Sequence, residues 1–150
     1  MSNYIGIDIG GTNIRVGAID ENNDLTFMYK ETTLDKVNNE EDLYIKIKNL
    51  IKRVPNYESV KAIGIGFPGC INQEEIVSSN NLGILIGFPL IKRLSKDFNK
   101  NVYIDNDARV AALSEAVIGA GVGKKIVCYV TISTGLGRRS CYWKYYIPWK

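Results

Sequence analysis

Two short apolar runs at the start of the chain flank a polar, glycine-rich turn, in the stretch YIGIDIGGTNIRVGAID (residues 4–20). Apolar residues alternate with small or polar ones over 4–8 and again over 14–19, a period that predicts two β-strands. A two-residue turn is enough to close a hairpin, whereas the longer polar sequence GGTN separates these two runs. The extra polar residues therefore indicate a turn that does more than reverse the chain.

The rest of the chain predicts an α/β fold. Three early strands, followed by alternating helices and strands, indicate a mixed sheet that is antiparallel in its early part and has flanking helices. Apolar residues at helical spacing predict the helices. The first helix also has acidic residues near its start and basic residues near its end, which the helix dipole favours. The predicted elements after the first two strands are a strand at 25–33, a helix at 39–54 ended by Pro55, a strand at 60–69, a helix at 88–99, a strand at 102–107, a helix at 108–121 and a buried strand at 125–134.

Two glycine motifs fit the known phosphate-binding patterns poorly. Gly64, Gly66 and Gly69 match the dinucleotide fingerprint GxGxxG by letter, but that fingerprint requires a helix directly after the turn. Here the stretch CINQEEIVSS follows, which predicts a turn and a strand. The stretch GAGVGKK (119–125) lacks the first glycine and the final Ser or Thr of a P-loop, and it follows a predicted helix.

The turn in the opening stretch fits a phosphate site better. Gly10 and Gly11 let the backbone approach an oxygen-rich ligand with its amides, and Thr12 adds a hydroxyl donor. Asp8, at the end of the first strand, is placed to hold a hydrated Mg²⁺. The alternative is a plain glycine turn whose polar side chains bond the local backbone. A second polar glycine turn, VTISTGLG (130–137), favours the phosphate interpretation, since two such turns can clamp one nucleotide.

The composition excludes several classes of protein. The net charge is only +3 and no predicted element carries a dense basic stripe, so we expect no nucleic-acid partner. No apolar run approaches the length that crosses a bilayer and no signal peptide precedes Tyr4, so we expect no membrane partner and a cytoplasmic location. Three widely spaced cysteines and the lack of histidine disfavour a disulfide framework or a zinc site within this sequence.

Five motifs stand in a specific order along residues 4–137: DIGGTNIRVGAID, GIGFPGCIN, NNLG, IDNDARVAALSEAVIGAG and YVTISTGLG. This order resembles that of the ROK family, which comprises sugar kinases and sugar-responsive repressors. The first motif is shared across a wider superfamily, but its combination with NDA and STGLG is more specific. The resemblance implies the N-terminal lobe of an actin-like ATPase (ribonuclease H-like) fold.

The resemblance also implies roles for single residues. Asp107 matches the general base that takes the proton from the attacking sugar hydroxyl, with ATP as the phosphoryl donor. The other matches are the first phosphate motif (Asp8, Gly10, Gly11 and Thr12, with Asp8 binding Mg²⁺ through water), the second phosphate motif (Thr134, Gly135 and Gly137) and the sugar pocket (Gly69, Asn81, Asn106 and again Asp107).

Physical chemistry leaves Asp107 with two interpretations. Phosphoryl transfer needs a carboxylate at the acceptor hydroxyl, and adjacent Asn and Asp side chains supply the donors and acceptors that a sugar requires. Asp107 also opens a predicted helix, where it can be no more than the N-cap. The sequence DND supplies more polar residues than one cap needs, a surplus that the second interpretation does not explain.

The last residues, RRSCYWKYYIPWK (138–150), depart from the family pattern. All 14 glycines lie within residues 1–137, whereas both tryptophans lie beyond them. We therefore expect a ROK N-terminal domain over 1–137 and an atypical tail, out-of-frame or artificial, over 138–150. The resemblance also implies a C-terminal lobe, with a zinc site in many members, and we expect this chain to lack it.

We accordingly expect the N-terminal lobe of an ATP-dependent hexose kinase, similar to a glucokinase. As this truncated chain it should have little or no activity, because catalysis by positioning requires both walls of the cleft. The alternatives are a fragment of a sugar-sensing ROK transcriptional regulator and a non-catalytic remnant. The retained glycines of the phosphate motifs favour the kinase over the regulator. The expected ligands are a sugar, ATP and Mg²⁺. The sequence does not fix the oligomeric state, for which a homodimer is one option.

Overall fold

The computed structural model describes the backbone of residues 2–132 and 136–142 and the side chains of residues 2–130. The chain divides into two compact units, Met1–Asp105 and Asn106–Lys150. The elements of the first unit are β1 (Tyr4–Ile9), β2 (Asn13–Ile19), β3 (Leu25–Thr32), α1 (Glu40–Arg53), β4 (Ala62–Phe67), β5 (Cys70–Asn72), β6 (Glu75–Ser78), α2 (Leu90–Phe98) and β7 (Asn101–Asn106), whose last residue begins the second unit.

The main sheet of the first unit has five strands in the order β3-β2-β1-β4-β7. β1 pairs with β2, and β2 with β3, in antiparallel fashion, whereas β1 and β4 run parallel. The prediction of a mixed sheet with three early antiparallel strands is therefore confirmed. Gly64 and Gly66 lie inside β4, and the strand pair β5–β6 follows instead of the helix that the dinucleotide fingerprint requires.

One face of the sheet forms the core of the first unit. In β1 the side chains of Ile5, Ile7 and Ile9 are buried, whereas those between them point to the opposite face, as the two-residue period of a strand requires. α1 and α2 contribute aliphatic side chains to the same cluster. Each fully buried aliphatic side chain of this kind contributes about 1.5–3 kcal/mol to folding, so burial of this face holds β1 at the centre of the sheet.

The first helix begins and ends close to its predicted limits. Asn39 is the N-cap of α1, and its side-chain oxygen accepts from the Asp42 amide at 2.9 Å. Val54 has an extended backbone, because the following Pro55 disfavours helical geometry in the residue before it.

Polar contacts tie α1 to α2. The Tyr44 hydroxyl donates to the Asp97 carboxylate at 2.8 Å, and Lys48 pairs with the same carboxylate. Arg93 forms a bidentate pair with Glu41 and lies over the Tyr44 ring, 4.0 Å from its centroid. Since Tyr44 is only 1% exposed, its hydroxyl and Asp97 join the core to the polar surface between the two helices.

The second unit contains α3 (Asp107–Val117), β8 (Ile126–Ile132) and β9 (Leu136–Tyr142). β8 and β9 pair in antiparallel fashion, and Ala112 and Ala116 of α3 pack against Val127 and Tyr129 of β8. The prediction that β8 is a buried strand is wrong. Its alternate residues face solvent (Ile126 is 53% and Val130 55% exposed), because in the described residues α3 covers only one face of this strand.

Candidate functional site

The glycine loop between β1 and β2 is closed by its own backbone. The Gly10 amide donates to the Asn13 carbonyl at 2.9 Å, and a Cβ on Gly10 would lie only 2.8 Å from the same carbonyl oxygen. Glycine is therefore required at this position. In the residues that the structure describes, backbone atoms hold this turn rather than the side chains of Thr12 and Asn13, which the plain-turn alternative invoked. Thr12 is exposed at the tip.

The loop lies directly against a residue of the predicted sugar pocket. A Cβ on Gly11 would lie 2.8 Å from the Cβ of Asn81 and 3.2 Å from its Cγ. Carbon atoms in contact prefer a separation of about 3.5–4.0 Å, so only a glycine lets the loop come this close. The structure thus brings together a residue predicted to bind phosphate and a residue predicted to bind sugar.

A serine hydroxyl fixes the segment that carries Asn81. Ser79 Oγ donates to the Pro68 carbonyl at 2.8 Å and accepts from the Leu82 amide at 3.1 Å. One hydroxyl therefore connects the turn that leads into Gly69 with the turn that presents Asn81. Two predicted sugar-pocket positions are in this way held by a single side chain.

Gly69 occupies a space that admits no side chain. Its amide donates to the Phe67 carbonyl at 2.9 Å in a tight turn. A Cβ at this position would overlap the Ser78 carbonyl oxygen and lie 2.8 Å from Cε1 of Phe67. Because a backbone oxygen cannot move aside without disturbing β6, the glycine is needed for the turn itself.

Asp8 lies at the end of β1 on the face opposite the core. Its carboxylate accepts from Arg15 Nη1 at 2.6 Å, and both side chains are 47% exposed. The two residues stand opposite one another in the β1–β2 register. Mg²⁺ keeps several of its waters and binds proteins through one or two carboxylates together with phosphate oxygens. The chemistry of Asp8 therefore fits a hydrated Mg²⁺, provided that Arg15 turns aside.

Asn106 and Asp107 lie in the second unit, where β7 meets α3. Asn106 is the N-cap residue and Asp107 is the first residue of the helix, so the alternative interpretation of Asp107 as the N-cap is wrong. Asp107 Oδ1 accepts from the Ala108 amide at 2.7 Å, and the residue is exposed. Because Asp107 is exposed, its carboxylate is accessible from solvent.

The second predicted phosphate motif is described only in part. Thr134 and Gly135 lie outside the described residues. Gly137 lies in β9, where it stands opposite Thr131 of β8.

Comparison with known proteins identifies the family. The model of the ROK family matches residues 4–139. The chain belongs to the ROK family. It is 34% identical to the glucokinase of Thermotoga maritima over 135 residues, and 31% identical to the N-acetyl-D-glucosamine kinase of Yersinia pseudotuberculosis over 148 residues. Among solved structures, the ROK family glucokinase from Streptomyces griseus in complex with glucose and AMPPNP superposes with a TM-score of 0.78 at 30% identity. The predicted actin-like ATPase fold is thereby confirmed.

The chain spans less than half the length of these relatives. The alignments cover 89% of this chain and 42% of the Thermotoga glucokinase, and 88% and 48% for the Yersinia kinase. For the Streptomyces structure the coverage is 90% of this chain and 43% of the other. Within the described residues, no helix is both long and apolar enough to cross a membrane.

Two hydroxyls that shape this site were not predicted from the sequence. Thr33 is fully buried, and its hydroxyl donates to the Gly10 carbonyl at 2.6 Å. Ser79 connects Pro68 to Leu82, as described above. A threonine at the end of a predicted strand and a serine in a polar turn carry no distinguishing pattern, so only the folded structure identifies them.

Proposed function

We propose that this chain is the N-terminal lobe of an ATP-dependent sugar kinase of the ROK family, with a hexose as the acceptor. The glucokinases and N-acetyl-D-glucosamine kinases among its relatives support this substrate class. The contact between the glycine loop and Asn81 carries the proposal, because phosphoryl transfer requires the donor phosphate and the acceptor sugar to meet in a fixed geometry.

In the proposed reaction a sugar hydroxyl oxygen forms a bond to the terminal phosphorus of ATP. The bond from that phosphorus to the ADP oxygen breaks, and the hydroxyl proton passes to Asp107 as general base. The side-chain amides of Asn81 and Asn106 can each donate hydrogen bonds to the sugar and accept them from it. Gly69 keeps the turn after Pro68 free of a side chain.

The proposed phosphate ligands are backbone amides and hydroxyls, because such groups bind anions without bringing a charge of their own. When bound, Mg²⁺ neutralises charge on the phosphate oxygens, and Asp8 is the residue that would hold it through water. The residues assigned to the phosphates are Gly10, Gly11 and Thr12 in the first phosphate motif and Thr134, Gly135 and Gly137 in the second phosphate motif.

The test is a titration of the ¹⁵N-labelled chain followed by NMR. MgATP should shift the amide resonances of residues 10–12, and glucose or N-acetylglucosamine should shift those of Gly69 and Asn81. AMP with Mg²⁺ is the matched control, since it lacks the terminal phosphates and should shift the loop far less. In a coupled assay of ADP release, we expect little or no turnover from this chain alone. A turnover near the enzymatic median of ~10 s⁻¹ would contradict that expectation.

The same titration separates the alternatives. Shifts caused by sugar but not by MgATP would favour a sugar-sensing regulator of the same family. A lack of shifts with either ligand would favour a non-catalytic remnant and contradict the kinase proposal. A cytoplasmic location, the option of a homodimer, the domain limit at 137 and the out-of-frame or artificial tail after it stay predictions from the sequence.

A further inference from the structure

Thr33 stands directly behind the glycine loop. It follows β3, and among the described residues it is the one polar side chain that is fully buried within the core. Its hydroxyl donates to the Gly10 carbonyl at 2.6 Å, and its amide donates to the Thr12 carbonyl at 2.9 Å. One residue therefore binds two carbonyls of the loop from the inside.

These bonds determine where the loop amides point. In a trans peptide the C=O and N–H groups point in opposite directions, and no peptide bond of the described chain is cis. The carbonyl of Gly10 and the amide of Gly11 belong to the same peptide unit. Because Thr33 holds that carbonyl inward, the Gly11 amide must point outward, away from the core.

Lys46 of α1 holds the segment that carries Thr33. Its ammonium donates to the carbonyls of Thr32 at 3.0 Å, Thr33 at 3.2 Å and Asp35 at 2.5 Å. An ammonium group has three protons to donate, so all of them are used on this segment. A series of hydrogen bonds thus connects α1 to the glycine loop through Lys46, the backbone after β3 and the Thr33 hydroxyl.

We propose that Thr33, held by Lys46, is a positioning residue that aims the Gly11 amide at the phosphates of the nucleotide. This inference rests on the proposed function, since it assumes that a nucleotide phosphate is the ligand of the loop. Neither Thr33 nor Lys46 contacts the ligand in this scheme. Their effect is to fix the direction of one donor before the ligand arrives, which lowers the cost of binding.

The experiment compares Thr33→Val with Thr33→Ser. Valine keeps the shape of the side chain but removes the hydroxyl, whereas serine keeps the hydroxyl. Thr33→Val should weaken MgATP binding, measured from the amide shifts of residues 10–12, by about tenfold, the loss expected for a hydrogen bond to a buried partner. Hydrogen exchange of the bonded Gly10 amide should accelerate by a similar factor of about ten. Thr33→Ser should restore both values to near those of the unaltered chain.

Matched controls separate this effect from a general loss of stability. Thr26 lies within β3, and its hydroxyl donates to the Ala18 carbonyl at 3.1 Å, so Thr26→Val removes a hydroxyl-to-carbonyl bond away from the loop. It should leave Gly10 exchange and MgATP binding unchanged. Lys46→Met should resemble Thr33→Val in direction, whereas Lys52→Met, on the same helix but exposed, should have no effect on either measurement.

The outcomes are distinct. Equal loss of MgATP affinity in Thr33→Val and Thr33→Ser, or unchanged Gly10 exchange in Thr33→Val, would overturn the positioning role. If MgATP shifts no loop amide in the unaltered chain, the proposed function fails, and with it the assignment of phosphate to this loop. In that case a tenfold change in Gly10 exchange would still support Thr33 as the group that holds the loop.

Discussion

Replacing Gly11 by alanine tests the central contact of the candidate site. The new Cβ would lie 2.8 Å from the Asn81 Cβ, about 1 Å inside the preferred separation of carbon atoms. Relieving such an overlap costs about 1–3 kcal/mol in a packed environment. The substitution also stiffens the unfolded chain, which returns about 0.4–1 kcal/mol. We therefore expect Gly11→Ala to lower the free energy of unfolding by roughly 1 kcal/mol overall.

Gly6→Ala is the matched control, because a Cβ on Gly6 meets nothing within 4 Å. The unfolded-state gain is common to both variants, so the difference between their unfolding free energies isolates the steric cost of about 1–3 kcal/mol. Urea denaturation followed by circular dichroism measures both values. The double variant Gly11→Ala/Asn81→Gly should recover most of that difference, since it removes the atoms that collide. Equal stability of Gly11→Ala and Gly6→Ala would refute the contact as described.

Three further predictions concern other parts of the first unit. Gly69→Ala should lower the free energy of unfolding by about 3 kcal/mol, more than Gly11→Ala does, because the new Cβ collides with the Ser78 carbonyl oxygen, a backbone atom. Urea denaturation midpoints measure the difference. A midpoint equal to that of Gly11→Ala would contradict this prediction. Burial and the Asp97 carboxylate raise the pKa of Tyr44 to about 12, above its value of about 10 in unfolded chains, so the stability that Tyr44 contributes is complete below pH 10 and is lost as the pH rises towards 12. Tyr44→Phe should therefore lose less stability than the unaltered chain between pH 8 and 11, and parallel losses in both would count against this cause. Lys48 and the Tyr44 hydroxyl lower the pKa of Asp97, so the stability from that carboxylate should decline as the pH falls below about 4, and Asp97→Asn should flatten this decline.

The sequence predicted the elements well because their signals are local. The helix at 39–54 was expected from its apolar spacing and from Pro55, and α1 spans Glu40–Arg53. The strand at 125–134 is expected to be buried because it contains the apolar run IVCYV (126–130). That expectation failed for Ile126 and Val130, since the burial of a strand depends on what covers each face, and this information is not local.

The candidate site likewise contains residues that a local motif predicts and a supporting residue that no local pattern predicts. Gly10 and Gly11 can be proposed from the sequence because a ligand that binds backbone amides demands small residues beside it, and that demand leaves a recognisable motif, with Asp8 proposed next to it for Mg²⁺. Thr33 lies 23 residues after Gly10, and nothing about its neighbours separates it from Thr32. A residue such as Thr33, which supports a site from behind, needs only to form one hydrogen bond. Many different neighbouring sequences allow that bond, so no motif marks the residue. The amide direction at Gly11 therefore depends on a hydroxyl that the motif does not contain, and variants at Thr33 are a sharper test of the proposed site than variants within the motif itself.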